Sequence, residues 1–483
     1  MDELQDQYLG EFRIKSRRFS GLVTLKGSKS RLELYSDHRI HIPAGDMRTI
    51  RGLARTGEKI TICDAIGSEE GGTRSYYGIT RHYSELIPHF IAIGPRHLDI
   101  DRKVISEIIF TTSAATSLFY DLGSFGTARE KNIKRIMPAW ARKDPRQIQS
   151  SHLFYYVDRG PIFTVKTKTI EFDAFNGISY RNPSPRGINL TNEVRIGLKF
   201  KPAVKLSDAI KAIWEFRAFC EIVSHSKHCI RNIILRHTRA EMLESPIKLY
   251  ATDDEAADEE EVDFRDNLIS AGMHSKEFEQ VFGTWLRTQV SHSDARLRIV
   301  QGLRKGRTYT VDRLVGAANS FDLLPAALFR KPTIPKAVRT TLIELTATAK
   351  SLRPPYRDQI LSNLNRVKDL TLRQKIQSRF CSLPLVLRKR LPEMDLLIEH
   401  CVRTRNYFVH GSKPKLSVAA TREFLFLFTD TLEFLFITSE LAACGWNVSR
   451  WMNSLGPMGR FAAYLHSYNE QLKQVKTAAG SVR

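Results

Sequence analysis

Apolar and polar positions alternate at two different periods along this chain. Over roughly the first two hundred residues the period is short. "FSGLVTLKG" (19–27), "SRLELYS" (30–36), "KITICDA" (59–65), "RSYYGITRHY" (74–83) and "HFIAIG" (89–94) alternate or cluster β-branched and aromatic residues. "VISEIIFTT" (104–112), "HLFYYV" (152–157) and "RIGLKF" (195–200) do the same, with Gly, Pro, Ser or Asp between them. Such segments predict short strands. No helical pattern separates the early ones, so an antiparallel sandwich or barrel is expected and parallel βαβ units are not. Gly71-Gly72 reads as a turn.

The period then lengthens. "KLSDAIKAIWEFRAFCEIV" (205–223) places Ile210, Ile213, Trp214, Phe216 and Ala218 broadly on one helical face, with Ser207-Asp208 as the expected N-cap. Strand-like "CIRNIILRHT" (229–238) and "SPIKLYA" (245–251) follow. Next comes "DDEAADEEEVDFRD" (253–266), nine acidic residues against one arginine, a solvated loop by its charge. The alternative reading is that it lies over a positive groove and competes with RNA. From about residue 275 every segment has helical periodicity, with prolines at starts (Pro335, Pro392) and short connections, which predicts an antiparallel bundle. Its last helix, within "VAATREFLFLFTDTLEFLFITSELAACG" (418–445), is apolar on more than one face. Either bundle neighbours surround it or it supplies a dimer interface.

The expected organisation is therefore α+β and multidomain. A β-rich domain covers 1–200, and a helix-strand unit closes it over 201–274. Connecting helices occupy 275–306, an all-α bundle 307–470, and a tail 471–483.

Composition narrows the function. The 483 residues are 42% apolar, which suits globular domains. They carry 74 basic and 52 acidic side chains, a net charge of +22, which favours a polyanionic partner. The start, "MDELQDQYLGEFRIKSRRF", lacks the apolar run of a signal peptide, and Glu423, Asp430, Glu433 and Glu440 interrupt the longest apolar stretch, so no membrane association is expected. The six cysteines (63, 220, 229, 381, 401, 444) show no CxxC pair, which predicts reduced core thiols in a cytoplasmic protein. No glycine-rich phosphate loop follows a strand and no metal-ligand spacing appears, so neither cofactor nor metal is expected.

One fragment carries chemistry: "TRNYFVHGSKP" (404–414). An arginine followed after several residues by a histidine is a weak pattern. It recurs at Arg31/His38, Arg146/His152, Arg231/His237, Arg287/His292, Arg403/His410 and Arg460/His466. Only Arg405/His410 lies late in a strong helix, with an asparagine next, a His-Gly stop and a buried helix after it. On an unbroken helix, residues five apart stand about 140° around the axis, so Gly411 is expected to end the helix and let His410 fold back toward Arg405. Arg403 points about 200° away from Arg405, so the two arginines cannot serve one phosphate. Arg388, Lys389 and Arg390 before the motif helix, Arg403 within it, and Lys413 and Lys415 after it form an expected RNA-backbone footprint. Arg366, Lys368, Arg373, Lys375 and Arg379 add to it. The plain alternative is that Arg405 caps the bundle and His410 merely ends a helix.

In this setting "RTRNYFVHG" resembles the catalytic element of HEPN ribonucleases, and its surroundings resemble the ApeA-like branch found in bacterial abortive-infection defence against phage. "FSGLVTLKGSKSRLELYS" is similar to the opening strands of the ApeA N-terminal domain. "KLSDAIKAIWEFRAFCEIVSHSKHCIRNIIL" is similar to the unit that closes it. The resemblance implies an HEPN bundle with Arg405, Asn406 and His410 catalytic. It also implies cleavage of cellular RNA, tRNA being a leading candidate, once an unidentified phage-derived activator is sensed. Because one imidazole cannot easily serve as both acid and base, it further implies a homodimer or higher homo-oligomer with a composite site. Competing readings are a non-catalytic binding module for nucleic acid or protein, and a bundle modified by a nucleotidyltransferase partner.

Overall fold

The computed structural model describes residues 6–43, 47–67, 73–76, 79–121, 123–129, 152–157, 160–184, 187–238, 245–252, 266–329, 335–366, 369–413, 415–454 and 459–480. Gly71-Gly72, Lys368 and all but the last residue of the acidic run 253–266 lie outside them. The chain divides into two compact units, residues 1–220, 228–264 and 269–279 in one, and 221–227, 265–268 and 280–483 in the other.

The first unit is built on strands β1 (Gln7–Ile14), β2 (Arg17–Thr24), β3 (Arg31–Ser36), β4 (Thr49–Ala54), β5 (Lys59–Cys63), β6 (Ile66–Gly67), β7 (Thr73–Tyr76), β8 (Ile79–Ile87), β9 (Phe90–Gly94) and β10 (Ile105–Thr112). After the one-turn helix α1 (Ala115–Leu118) come β11 (Phe125–Arg129), β12 (His152–Tyr156), β13 (Phe163–Lys166), β14 (Ile170–Ser184) and β15 (Gly187–Val204). Helix α2 (Leu206–Ser224), β16 (Ile230–His237) and β17 (Ile247–Ala251) complete the series. Fifteen of these strands form one antiparallel sheet in the order β13-β14-β15-β10-β16-β17-β9-β5-β4-β1-β2-β3-β8-β6, with β7 also on β8. Strands β11 and β12 pair separately.

So long a sheet must curl. Five strand spacings, about 24 Å when flat, separate β17 from β2. Yet the Gly27 amide after β2 donates to the Tyr250 hydroxyl of β17 at 2.6 Å. The roll encloses Phe12, Val23, Leu32, Leu34, Ile50, Ile60, Ile62 and Leu86, all fully buried. A second, aromatic core stacks Phe119, Phe163 and Phe172 around Phe216 of α2. The expected antiparallel β-rich region with a closing helix is present. Ser207-Asp208 is not its cap: α2 begins at Leu206, and Asp208 sits in the first turn, where a carboxylate still suits the helix dipole.

The second unit is helical: α3 (Ser275–Leu303), α4 (Val311–Asp322), α5 (Lys336–Lys350), α6 (Tyr356–Arg366), α7 (Leu372–Cys381), α8 (Leu385–Arg388), α9 (Met394–His410), α10 (Val418–Glu423), α11 (Leu425–Ala443), α12 (Val448–Asn453) and α13 (Arg460–Gly480). The apolar segment expected as one helix is broken at Phe424 into α10 and α11. Bundle neighbours surround α11, in which Phe428, Leu432, Phe434, Leu435, Phe436, Ile437 and Leu441 are all inaccessible. The alternative in which this helix forms a dimer interface is thereby corrected.

The carboxylates of α11 are paired with arginines. Glu433 takes the Arg313 guanidinium at 2.8 Å and also pairs with Arg460, which reaches Asp430 as well. Glu440, two turns on, meets Arg379 at 2.8 Å, His292 at 2.9 Å and Arg296 at 3.2 Å. Burial alone would raise Glu433; Arg460 and Arg313 override it and hold the carboxyl below its ordinary value. Gly302 of α3 is needed for the close approach to this network, because a Cβ there would lie 2.8 Å from Glu433 Oε1. The Arg287/His292 match is thus resolved: His292 is a core residue.

Candidate active site at the end of helix α9

Helix α9 reads MDLLIEHCVRTRNYFVH, and its spacing decides which side chains reach the surface. Met394, Leu397, Ile398, Cys401 and Thr404 are buried and form one stripe against α11, α4 and α7. At about 100° per residue, Arg405 lies only about 40° from Cys401, whereas Arg403 and His410 fall near 180°, on the opposite face. Arg405 is accordingly half-buried and Arg403 exposed. His400 is a core residue stacked parallel to Phe428 at 6.3 Å.

The Arg405 guanidinium organises the site. Its Nη1 lies 3.1 Å from Nε2 of the exposed His410 and donates to Asn406 Oδ1 at 3.1 Å. Its Nη2 donates to Asn319 Oδ1 of α4 at 2.9 Å. An arginine can only donate, so in this contact His410 Nε2 is the acceptor. Arg405 Nε is buried and has no hydrogen-bond partner among the described residues.

The helix does not end before the histidine. His410 is its last residue, and Gly411, at φ 67°, caps it by donating its amide to Tyr407 O at 2.9 Å. The reach therefore comes from the length of Arg405 and not from a folded-back His410. Asn406 contacts the arginine through its Oδ1.

The basic residues around the motif divide into several sets. Arg403 turns to Glu399 at 3.0 Å, and Lys415 at 2.5 Å and Arg373 at 3.1 Å meet the same carboxylate. The Lys415 hydrogen bond, with Arg373 and Arg403, holds Glu399 below the usual carboxylate range against its partial burial. Arg388 spends Nε on the Leu383 carbonyl at 3.0 Å, while Lys389, Arg390 and Lys413 are exposed. Lys375 pairs with Asp322 at 2.9 Å. Arg379 is buried on Glu440 and leaves the expected footprint. Asn319 was not foreseen; it is 86 residues from Arg405 and carries no motif of its own.

Among the described residues no helix is long and apolar enough to cross a membrane. Five of the six cysteines are buried and Cys381 is exposed; all are free thiols.

A bundle helix ending in a paired arginine and histidine defines the class of the second unit: residues 315–449 match the Apea-like HEPN family model. Residues 7–285 match the model for ApeA N-terminal domain 1. The second match covers more than half of the chain, which belongs to the ApeA family. At family level this is a HEPN nuclease lineage of anti-phage defence. No curated protein matches the chain. No solved structure matches it either.

Proposed function

We propose that this chain is a metal-independent endoribonuclease that cleaves cellular RNA, tRNA being the leading substrate, and leaves 2′,3′-cyclic phosphate ends. The 3.1 Å contact between Arg405 and the exposed His410 carries the reading. Cleavage needs a base for the 2′-hydroxyl, an acid for the departing 5′-oxygen and a cation for charge building on the phosphoryl oxygens. His410 Nε2 is the proton acceptor. Arg405 is the planar, always-charged fork that gives up its contact with the imidazole and donates to the phosphate when RNA arrives. Asn319 and Asn406 hold the guanidinium in place meanwhile. A second copy of the chain supplies the imidazole for the leaving group. The β-rich unit keeps the site silent until a phage-derived signal reaches it, in a cytoplasmic setting.

One observation favours a non-catalytic reading: the bonds from Arg405 to Asn319 and Asn406 are also what a structural cap would make. Phage-challenged cells expressing the wild type, His410→Ala or Arg405→Ala at matched levels separate the two. Growth arrest with tRNA fragments bearing cyclic ends, lost in both variants, is expected. Arrest that persists in both variants would identify a binding module instead.

A further inference from the structure

Three cations, from two helices and the loop after the motif, meet at one carboxylate. Arg373 opens α7, Arg403 lies within α9, Lys415 follows the motif, and all contact Glu399 between 2.5 and 3.1 Å. The charges do not cancel: three positive groups face one negative group, so the cluster stays cationic. It also stays open. Arg373, Arg403 and Lys415 are each 42–46% exposed, while Glu399 is only 16% exposed, which leaves the cations between the carboxylate and solvent. Arg403 gives Nε to Glu399 and has its Nη donors left for another anion.

The cluster shares a face with His410. Relative to Arg405, positions 399, 410 and 403 fall at about 120°, 140° and 160° around the helix. Arg403 and His410 are about 10 Å apart along the axis, within reach of one RNA strand.

We propose that Glu399 is a positioning residue that pre-organises Arg373, Arg403 and Lys415 into a seat for a phosphodiester flanking the scissile one. This deepens the RNA-cleaving reading and rests on it. The direction of its effect is opposite to simple charge counting. A carboxylate about 6 Å from a phosphate in a water-like medium weakens binding about threefold. Freezing three long side chains at the moment of binding costs about tenfold or more. Fixation outweighs repulsion, so removing this negative charge weakens RNA binding.

The test measures fluorescence anisotropy of a labelled oligouridylate over a salt series, in a His410→Ala background so that nothing is cut. Adding Glu399→Gln is expected to weaken binding about tenfold. Lys415→Met is expected to weaken it and lower the slope of log K against log salt by about 0.7. Binding that is unchanged or tighter in Glu399→Gln, or absent in the parent, overturns the proposal. Should Glu399→Gln fail to melt cooperatively, Lys415→Met and Arg373→Met decide, and unchanged salt slopes in both overturn it. Cleavage is scored separately. Seat behaviour without wild-type cleavage in extract of phage-infected cells sinks the nuclease reading alone, and wild-type cleavage there with indifferent Glu399→Gln binding sinks the seat alone.

Discussion

Gly411 holds φ 67°, a conformation that costs a residue with a Cβ about 1–2 kcal/mol. Nothing lies within 4 Å of where that Cβ would be, so the penalty is backbone strain alone. Gly411→Ala is expected to lower stability by about 1 kcal/mol and Gly411→Asn by less, read from thermal melting of the pair. Asn319 anchors the other side of the guanidinium. Asn319→Ala is expected to cut kcat on RNA about a hundredfold with KM little changed, since a misplaced charge is lost mainly in the transition state. A kcat within twofold of wild type would remove Asn319 from the account. The sequence favours Arg405 over Arg403 because an asparagine follows it, and the structure sets Arg405 beside His410 and Arg403 on Glu399. Asn319 was not legible: its role arises from packing of α4 on α9, which no local pattern encodes.

Elements show the same division. Strong periodicity revealed α9 and the core of α11, but the break at Phe424 leaves no Pro or Gly to read. Strand β1 leaves little signal in the sequence because its hairpin to β2 turns on Lys15, which adopts φ 53° where a glycine would mark the turn. The acidic positions of α11 predicted a soluble helix; their arginine partners, drawn from α3, α4, α7 and α13, are tertiary facts. Both Glu433 and Arg313 have fully inaccessible side chains. Arg313→Met should destabilise the chain by about 3–5 kcal/mol, because it strips hydrogen bonds from a buried carboxylate. Lys476→Met, which breaks a half-exposed pair with Glu393, should cost less than about 1 kcal/mol. Equal losses in chemical denaturation would show that the α11 network is dispensable.

For the whole molecule, charge and burial set the response to solution conditions. The +22 surplus pointed to a polyanion, yet composition could not separate footprint from scaffold: Arg296, Arg313 and Arg379 are spent inside the bundle. His228 in the β-rich unit is buried, and burial, with Arg217 beside it, pushes its pKa down from 6.5 to about 3. The folded chain keeps it neutral while the unfolded chain protonates it. Its stability contribution is therefore full above pH 6.5 and is lost as pH falls toward 3, at up to about 1.4 kcal/mol per pH unit. Between pH 6.5 and 4.5, before most carboxylates protonate, the melting temperature of wild type should fall more steeply than that of His228→Gln. Parallel slopes would contradict this.

The most direct measurement supplies the signal: total tRNA incubated in EDTA with wild type, His410→Ala or Arg405→Ala in extract of phage-infected cells, with the fragment ends analysed. Cleavage by wild type that chelator leaves intact, cyclic phosphates on the fragments, and loss of at least about a hundredfold in each variant are expected. Cleavage surviving in His410→Ala or Arg405→Ala, or abolished by EDTA in wild type, would contradict the nuclease reading.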